Sequence, residues 1–245
     1  MKEIGYRFRI ASMFSIVMLI LISSCSSDDD DEDLGNWIDR SVFDGSPRSG
    51  VAGFTIGNIG YMGIGYDGDD YLTSFWAYDM DGNYWSQKAD FVGVARNGAG
   101  YFGTGFDGDN DRKDFWKYTP ETDTWSELVG FGGNKRRAAT SFIIDDKAYL
   151  VTGVSNGVYL TDFWAFDAAT ETWTQKLDLD EEDDYQITRS NAVGFSLNGY
   201  GYVACGERGG VTNTVWEYEA SADIWEVKTN FEGATRQDAI AFSNS

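Results

Sequence analysis

Four times in this chain two tryptophans stand nine residues apart: Trp76 and Trp85, Trp116 and Trp125, Trp164 and Trp173, Trp216 and Trp225. The first of each pair sits in an aromatic run, such as Phe115-Trp116-Lys117-Tyr118, with turn formers such as Thr119-Pro120-Glu121-Thr122-Asp123 between it and the second. Aromatic residues and Thr favour the pleated, half-buried surface of a strand, and Pro, Asp, Gly and Asn favour turns. Nine residues hold two short strands and the turn between them, so each copy reads as a hairpin.

The hairpin belongs to a longer unit. In its first copy Arg48 precedes Val51 to Ile56, then Gly60 to Gly65, then the loop Tyr66-Asp67-Gly68-Asp69-Asp70, then the aromatic hairpin. That makes four strands, called a, b, c and d. Further copies start at Arg96, Arg137, Arg189 and Arg236, at spacings of 48, 41, 52 and 47 residues. A repeat of this length with four strands is a propeller blade. The expected fold is therefore all-β: a β-propeller over residues 37–245 with about four recognisable blades and orphan terminal strands at Trp37 and Arg236 to Phe242. Such a ring is expected to be incomplete and to need a partner or further chain to close. Arg96 lies only five residues before Tyr101, so the innermost strand of blade 2 is expected to be missing or merged.

These residues resemble the kelch family of β-propellers, whose central architecture is shared with galactose oxidase. Strand b ends in Gly65, Gly105, Gly153 and Gly206, strand c carries an aromatic pair with Tyr or Phe two places on, and strand d carries Trp. One departure stands out. The kelch double glycine is here Ile64-Gly65, Thr104-Gly105, Thr152-Gly153 and Cys205-Gly206.

The N-terminus carries an address. Lys2, Arg7 and Arg9 precede a mostly apolar run, Ile10 to Ile22, too short to span a bilayer, so residues 1–24 read as an export signal. The run ends in Ile22-Ser23-Ser24-Cys25, which resembles a bacterial lipobox; the resemblance implies a lipidated Cys25, a membrane anchor, and an outer-membrane lipoprotein of a Gram-negative bacterium. Residues 25–36 include six consecutive acidic residues, Asp28 to Asp33, and read as a solvated tether; acidic residues there also resemble a surface-export signal. After residue 24 the chain has 16 Lys/Arg and 39 Asp/Glu, a net charge of −23 that argues against nucleic acid as a partner. With Cys25 lipidated, only Cys205 remains, and no intramolecular disulfide can form.

Composition also limits chemistry. There is no histidine, which removes the usual general base, the Ser-His-Asp triad and the copper ligands of galactose oxidase. Two candidate sites remain. Arg48, Arg96, Arg137, Arg189 and Arg236 would ring the channel mouth and could bind an anion, an arrangement similar to that of kelch-type sialic-acid epimerases; as a scaffold feature they would pair with acids such as Asp114 and Asp162. Asp107, Asp109 and Asp111 have the alternating spacing of a calcium loop without its Gly and Glu, so calcium is the one cofactor considered. The functional expectation is a binding module for glycan or protein, with aromatic loop tips at Tyr66, Phe106 and Tyr185. A carbohydrate-active isomerase or hydrolase using the channel mouth is the second reading.

Overall fold

The computed structural model describes residues 38–88, 94–96, 99–179 and 187–241, with the side chains of 94–96 left aside. Cys25, the export signal, the tether, Trp37, Tyr185 and Phe242 lie outside the described residues.

Four antiparallel sheets of four strands follow one another in a propeller arrangement, without a helix among the described residues. Blade 1 is β1 (Ala52–Ile56), β2 (Ile59–Gly63), β3 (Phe75–Asp79) and β4 (Tyr84–Lys88); blade 2 is β5 (Val94–Arg96), β6 (Ala99–Gly103), β7 (Phe115–Thr119) and β8 (Thr124–Leu128). Blade 3 is β9 (Thr140–Ile144), β10 (Lys147–Val151), β13 (Trp164–Asp167) and β14 (Thr172–Gln175), with a small hairpin, β11 (Val154–Ser155) and β12 (Val158–Tyr159), inserted between its strands b and c. Blade 4 is β15 (Val193–Leu197), β16 (Tyr200–Ala204), β17 (Val215–Glu219) and β18 (Ile224–Lys228).

Blade 2 corrects one expectation. Its innermost strand is shortened to three residues rather than lost, and it ends at Arg96 instead of starting after it. β5 lies beside β1, and β9 beside β15. Among the described residues no strand of blade 2 comes equally near β9, and none of blade 4 approaches a strand of blade 1. Residues 229–241 contain no strand.

The nine-residue spacing has a simple cause. Each strand-d tryptophan pairs across the hairpin with the aromatic two places beyond the strand-c tryptophan: Tyr78 with Trp85, Tyr118 with Trp125, Phe166 with Trp173, Tyr218 with Trp225. The turn between them needs a left-handed residue, supplied by Asn83, Asp123, Glu171 and Asp223 at φ 52–57°. Asn and Asp tolerate that region better than other non-glycine residues. At three of the turns the same side chain also holds the hairpin's tyrosine, Tyr78, Tyr118 and Tyr218 donating to Asn83, Asp123 and Asp223 at 2.7, 2.7 and 2.6 Å.

Blades pack through aromatics. Phe75 of blade 1 meets Tyr118 and Trp125 of blade 2 at 5.1 and 5.4 Å between centroids; Phe115 meets Phe166 and Trp173 at 4.7 and 4.9 Å; Phe163 meets Tyr218 and Trp225 at 4.8 and 5.4 Å. Phe75, Phe163, Tyr118 and Tyr218 are fully buried. Each such ring contributes about 1.5–3 kcal/mol by burial, and each edge-to-face pair about 0.5–1.5 kcal/mol more.

Candidate functional site

Because strands alternate in direction, the b–c loops and the d–a linkers emerge at one end of the propeller and the tight a–b and c–d turns at the other. Arg48, Arg137, Arg189, Arg236 and both aspartate loops fall at the loop end, whereas Arg96, which closes β5 beside the a–b turn, lies at the opposite end and does not join a ring of arginines.

The repeated arginines are built into the scaffold there. Arg48 Nη1 donates to the carbonyls of Ile64 and Ser74, Arg136 Nη1 to those of Thr152 and Asp162, and Arg189 Nη1 to those of Cys205 and Thr214. Their Nε groups donate two residues back, to Ser46, Asn134 and Ile187; Arg236 Nε does the same to Ala234. In blade 3 the repeat position is therefore Arg136, not Arg137. Each of the three arginines reaches a carbonyl 16 residues ahead, and Arg137 breaks that count. Arg136 and Arg189 are completely enclosed. Burial pulls the Arg136 guanidinium below its ordinary pKa against the opposing pull of Asp162, and pulls that of Arg189 down to about 10. Arg136 pairs with Asp162, whose same carboxylate oxygen accepts from Trp164 Nε1 at 2.7 Å. Asp114 instead accepts from Trp116 Nε1 and Arg112.

The carbonyls these arginines grip are presented by a left-handed pair. Ile64, Thr104, Thr152 and Cys205 have φ of 48, 67, 65 and 60°, and the glycines after them 106, 102, 96 and 92°. Both residues that close strand b thus keep a glycine-like backbone although the first is larger than glycine. The glycine amides bind the next arginine's carbonyl: Gly105 to Arg136, Gly153 to Arg189, Gly206 to Arg236, at 2.7–2.8 Å. Blades 2 and 3, and blades 3 and 4, are stitched together by this pattern.

What remains exposed is an aromatic and polar belt. Tyr66 and Tyr71 are 39 and 53 % exposed, with ring centroids 5.1 Å apart; Tyr71 meets Phe106 of the next blade edge-on at 5.7 Å. The Arg137 guanidinium lies 4.7 Å over the Phe106 ring and 3.5 Å from the buried carboxylate of Asp111. Asp111 also accepts from the Asn156 amide at 3.0 Å. Further round, Arg208 lies over Tyr159 at 5.9 Å and donates to Thr188.

Beside the belt runs a trough. A cavity of about 610 Å³ is bordered by Asp111, Arg112, Asp114 and Glu127, and one of about 530 Å³ by Tyr159, Asp162, Trp164 and Gln175; both share Gly133 and Asn134.

The aspartate loops are closed on themselves. Asp107 Oδ1 accepts from the amides of Asp109 and Asn110, and Asp67 Oδ1 from those of Asp69 and Asp70, so backbone bonds hold both carboxyls below their ordinary pKa. Asp107 Oδ2 binds Arg112, and Asp111 turns away to Arg137. Among the described residues no three His, Cys, Asp or Glu side chains gather as metal ligands would. Cys205 is buried with its thiol pushed up by burial.

No protein-family model matches the chain, and no curated protein does. Solved structures do. One, described as "Structure of YjhT", is similar with a TM-score of 0.68 at 14 % identity, over 83 % of this chain and 76 % of that one. The similarity at that identity is one of fold, a β-propeller.

Proposed function

We propose that this chain is a kelch-type propeller carried on a lipoprotein, and that it works as a glycan-binding module at the cell surface. The observation that carries the binding reading is the run of exposed Tyr66 and Tyr71 with the half-buried Phe106, flanked by Arg137 and continued by the trough. Clustered aromatic rings beside the Arg137 guanidinium suit the apolar faces and hydroxyl edges of sugar rings. The left-handed pair ending every strand b supports kinship with kelch repeats, which place two glycines there. The export segment and Cys25 support the address.

A glycan array probed with the purified chain, repeated with Tyr71→Ala, tests the ligand. Binding weakened about tenfold or more by Tyr71→Ala is the expected result; no glycan bound, or binding indifferent to Tyr71, sinks the reading and leaves a protein ligand for the same face. Cys25→Ala tests the address separately. The variant should leave the membrane fraction, and a variant still held there without detergent would refute the lipid anchor.

A further inference from the structure

Two blade faces lie uncovered among the described residues, one on blade 4 and one on blade 1, and they match each other. We propose that blade 1 of a second copy of this chain seats against blade 4, repeating between molecules the contact that joins consecutive blades. The proposal is independent of the glycan reading.

The three internal contacts define what such a face requires. Each blade turns three positions toward the next: Phe54, Tyr61 and Phe75 in blade 1, Phe142, Tyr149 and Phe163 in blade 3. The next blade answers with its hairpin pair, Tyr118 with Trp125 or Tyr218 with Trp225. Blade 4 presents the same kind of surface, with Phe195 and Tyr202 stacked at 5.0 Å and Val215 in the third place. These three are half-buried, whereas Phe142, Tyr149 and Phe163 under blade 4 are 3, 5 and 0 % exposed. Blade 1 presents the answering pair, Tyr78 and Trp85, at 5.0 Å. Phe43 against Trp76 and Trp85 does not obstruct it, since Phe131 holds the same place against Trp164 and Trp173 inside the closed contact of blades 2 and 3.

Size provides a second match. Where strand a carries phenylalanine, strand b of the next blade carries glycine: a Cβ on Gly100 would lie 2.5 Å from the Phe54 ring, and one on Gly201 2.1 Å from the Phe142 ring. Blade 4 offers Phe195, and the corresponding residue of blade 1 is Gly60, whose Cβ would meet only Met80 Cε at 3.7 Å. That space fits a phenylalanine ring.

Charge provides a third. Across the internal contacts a lysine reaches the turn acid of the following blade, Lys117 to Glu171 at 2.5 Å and Lys176 to Asp223 at 3.1 Å. On blade 4, Lys228 is occupied by Glu217 at 2.7 Å, and Glu217 also accepts from Tyr202. An acid brought against Glu217 would be repelled. Blade 1 is the blade whose turn carries a neutral residue, Asn83. Its Oδ1 accepts from Tyr78 and Ser41, which leaves the amide NH₂ free to donate toward Glu217.

Sedimentation velocity of the full chain over a range of concentrations tests the proposal, with Gly60→Phe and the pair Gly60→Ala, Phe195→Val as variants. A Cβ at Gly60 meets nothing nearer than the flexible Met80 Cε at 3.7 Å within one molecule, so for Gly60→Phe melting stays within a few degrees of the parent while self-association weakens about tenfold or more. Gly60→Ala alone weakens association, and adding Phe195→Val, which removes the ring a Cβ would strike, recovers it. A chain that is monomeric at every concentration overturns the proposal, and so does self-association indifferent to Gly60→Phe.

Discussion

Asp162 holds the fully buried Arg136 and the Trp164 indole through one carboxylate oxygen. Without the carboxylate, a desolvated guanidinium and an indole N–H would both lack their acceptor. Removing one partner of a buried ion pair costs about 3–5 kcal/mol. Asp162→Ala is expected to lose that much in urea unfolding, and Asp162→Asn less because the amide oxygen can still accept. A loss under about 1 kcal/mol for Asp162→Ala would show that Arg136 relaxes to water.

The same arrangement is half-built in blade 1. Ser74 occupies the place of Asp162: its carbonyl accepts from Arg48 as that of Asp162 does from Arg136, but Trp76 Nε1 is buried without a hydrogen-bond partner. Ser74→Asp should supply that acceptor and a charge partner for Arg48, raising stability by about 1–2 kcal/mol. A neutral or destabilising result in the same denaturation assay would mean that Arg48, less buried than Arg136, gains nothing from the charge.

How much of this was legible depended on which neighbours a residue answers to. The tryptophan spacing is fixed within one hairpin, so it could be read directly, and the four blades followed. The arginine register is fixed by a carbonyl 16 residues ahead. With Arg136 and Arg137 adjacent, counting back from Arg189 picks neither, whereas counting back from Thr152-Gly153 picks Arg136. Blade 2 misled because Arg96 closes a shortened strand there. Gly60, Gly100 and Gly201 were opaque for a different reason: the ring each glycine accommodates comes from another blade, and no local pattern announces it.

Left-handed backbone at Thr104 is a measurable strain. A β-branched residue at φ 67° is unfavourable by about 1–2 kcal/mol, and three blades out of four share a non-glycine β-branched or bulky side chain at this place with Ile64 and Thr152. Thr104→Gly should relieve more than it adds in unfolded-chain entropy, a net gain of about 0.5–1 kcal/mol seen as a higher melting temperature. Lower stability would mean that the threonine side chain packs well enough to offset its backbone.

Alkaline pH should unfold this protein through its buried tyrosines. Burial, with the acceptors Asp123 and Asp223, pushes the Tyr118 and Tyr218 hydroxyls far above 10, and burial with Glu217 pushes Tyr202 up to about 12. In the unfolded chain these groups ionise near 10, so above that pH the folded state binds more protons and stability falls as pH rises. The contribution is fully present below pH 10 and declines by about 1.4 kcal/mol per pH unit for each buried tyrosine above it. Arg189 works the other way, since its folded pKa of about 10 lies below the ordinary value and deprotonation favours the folded state above pH 10. Three tyrosines outweigh one arginine, and the net slope is downward. Melting temperatures from pH 8 to 11.5 should hold flat to about 9.5 and then drop, with Tyr218→Phe starting lower and dropping less steeply. A flat profile through pH 11 would place these hydroxyls in contact with water.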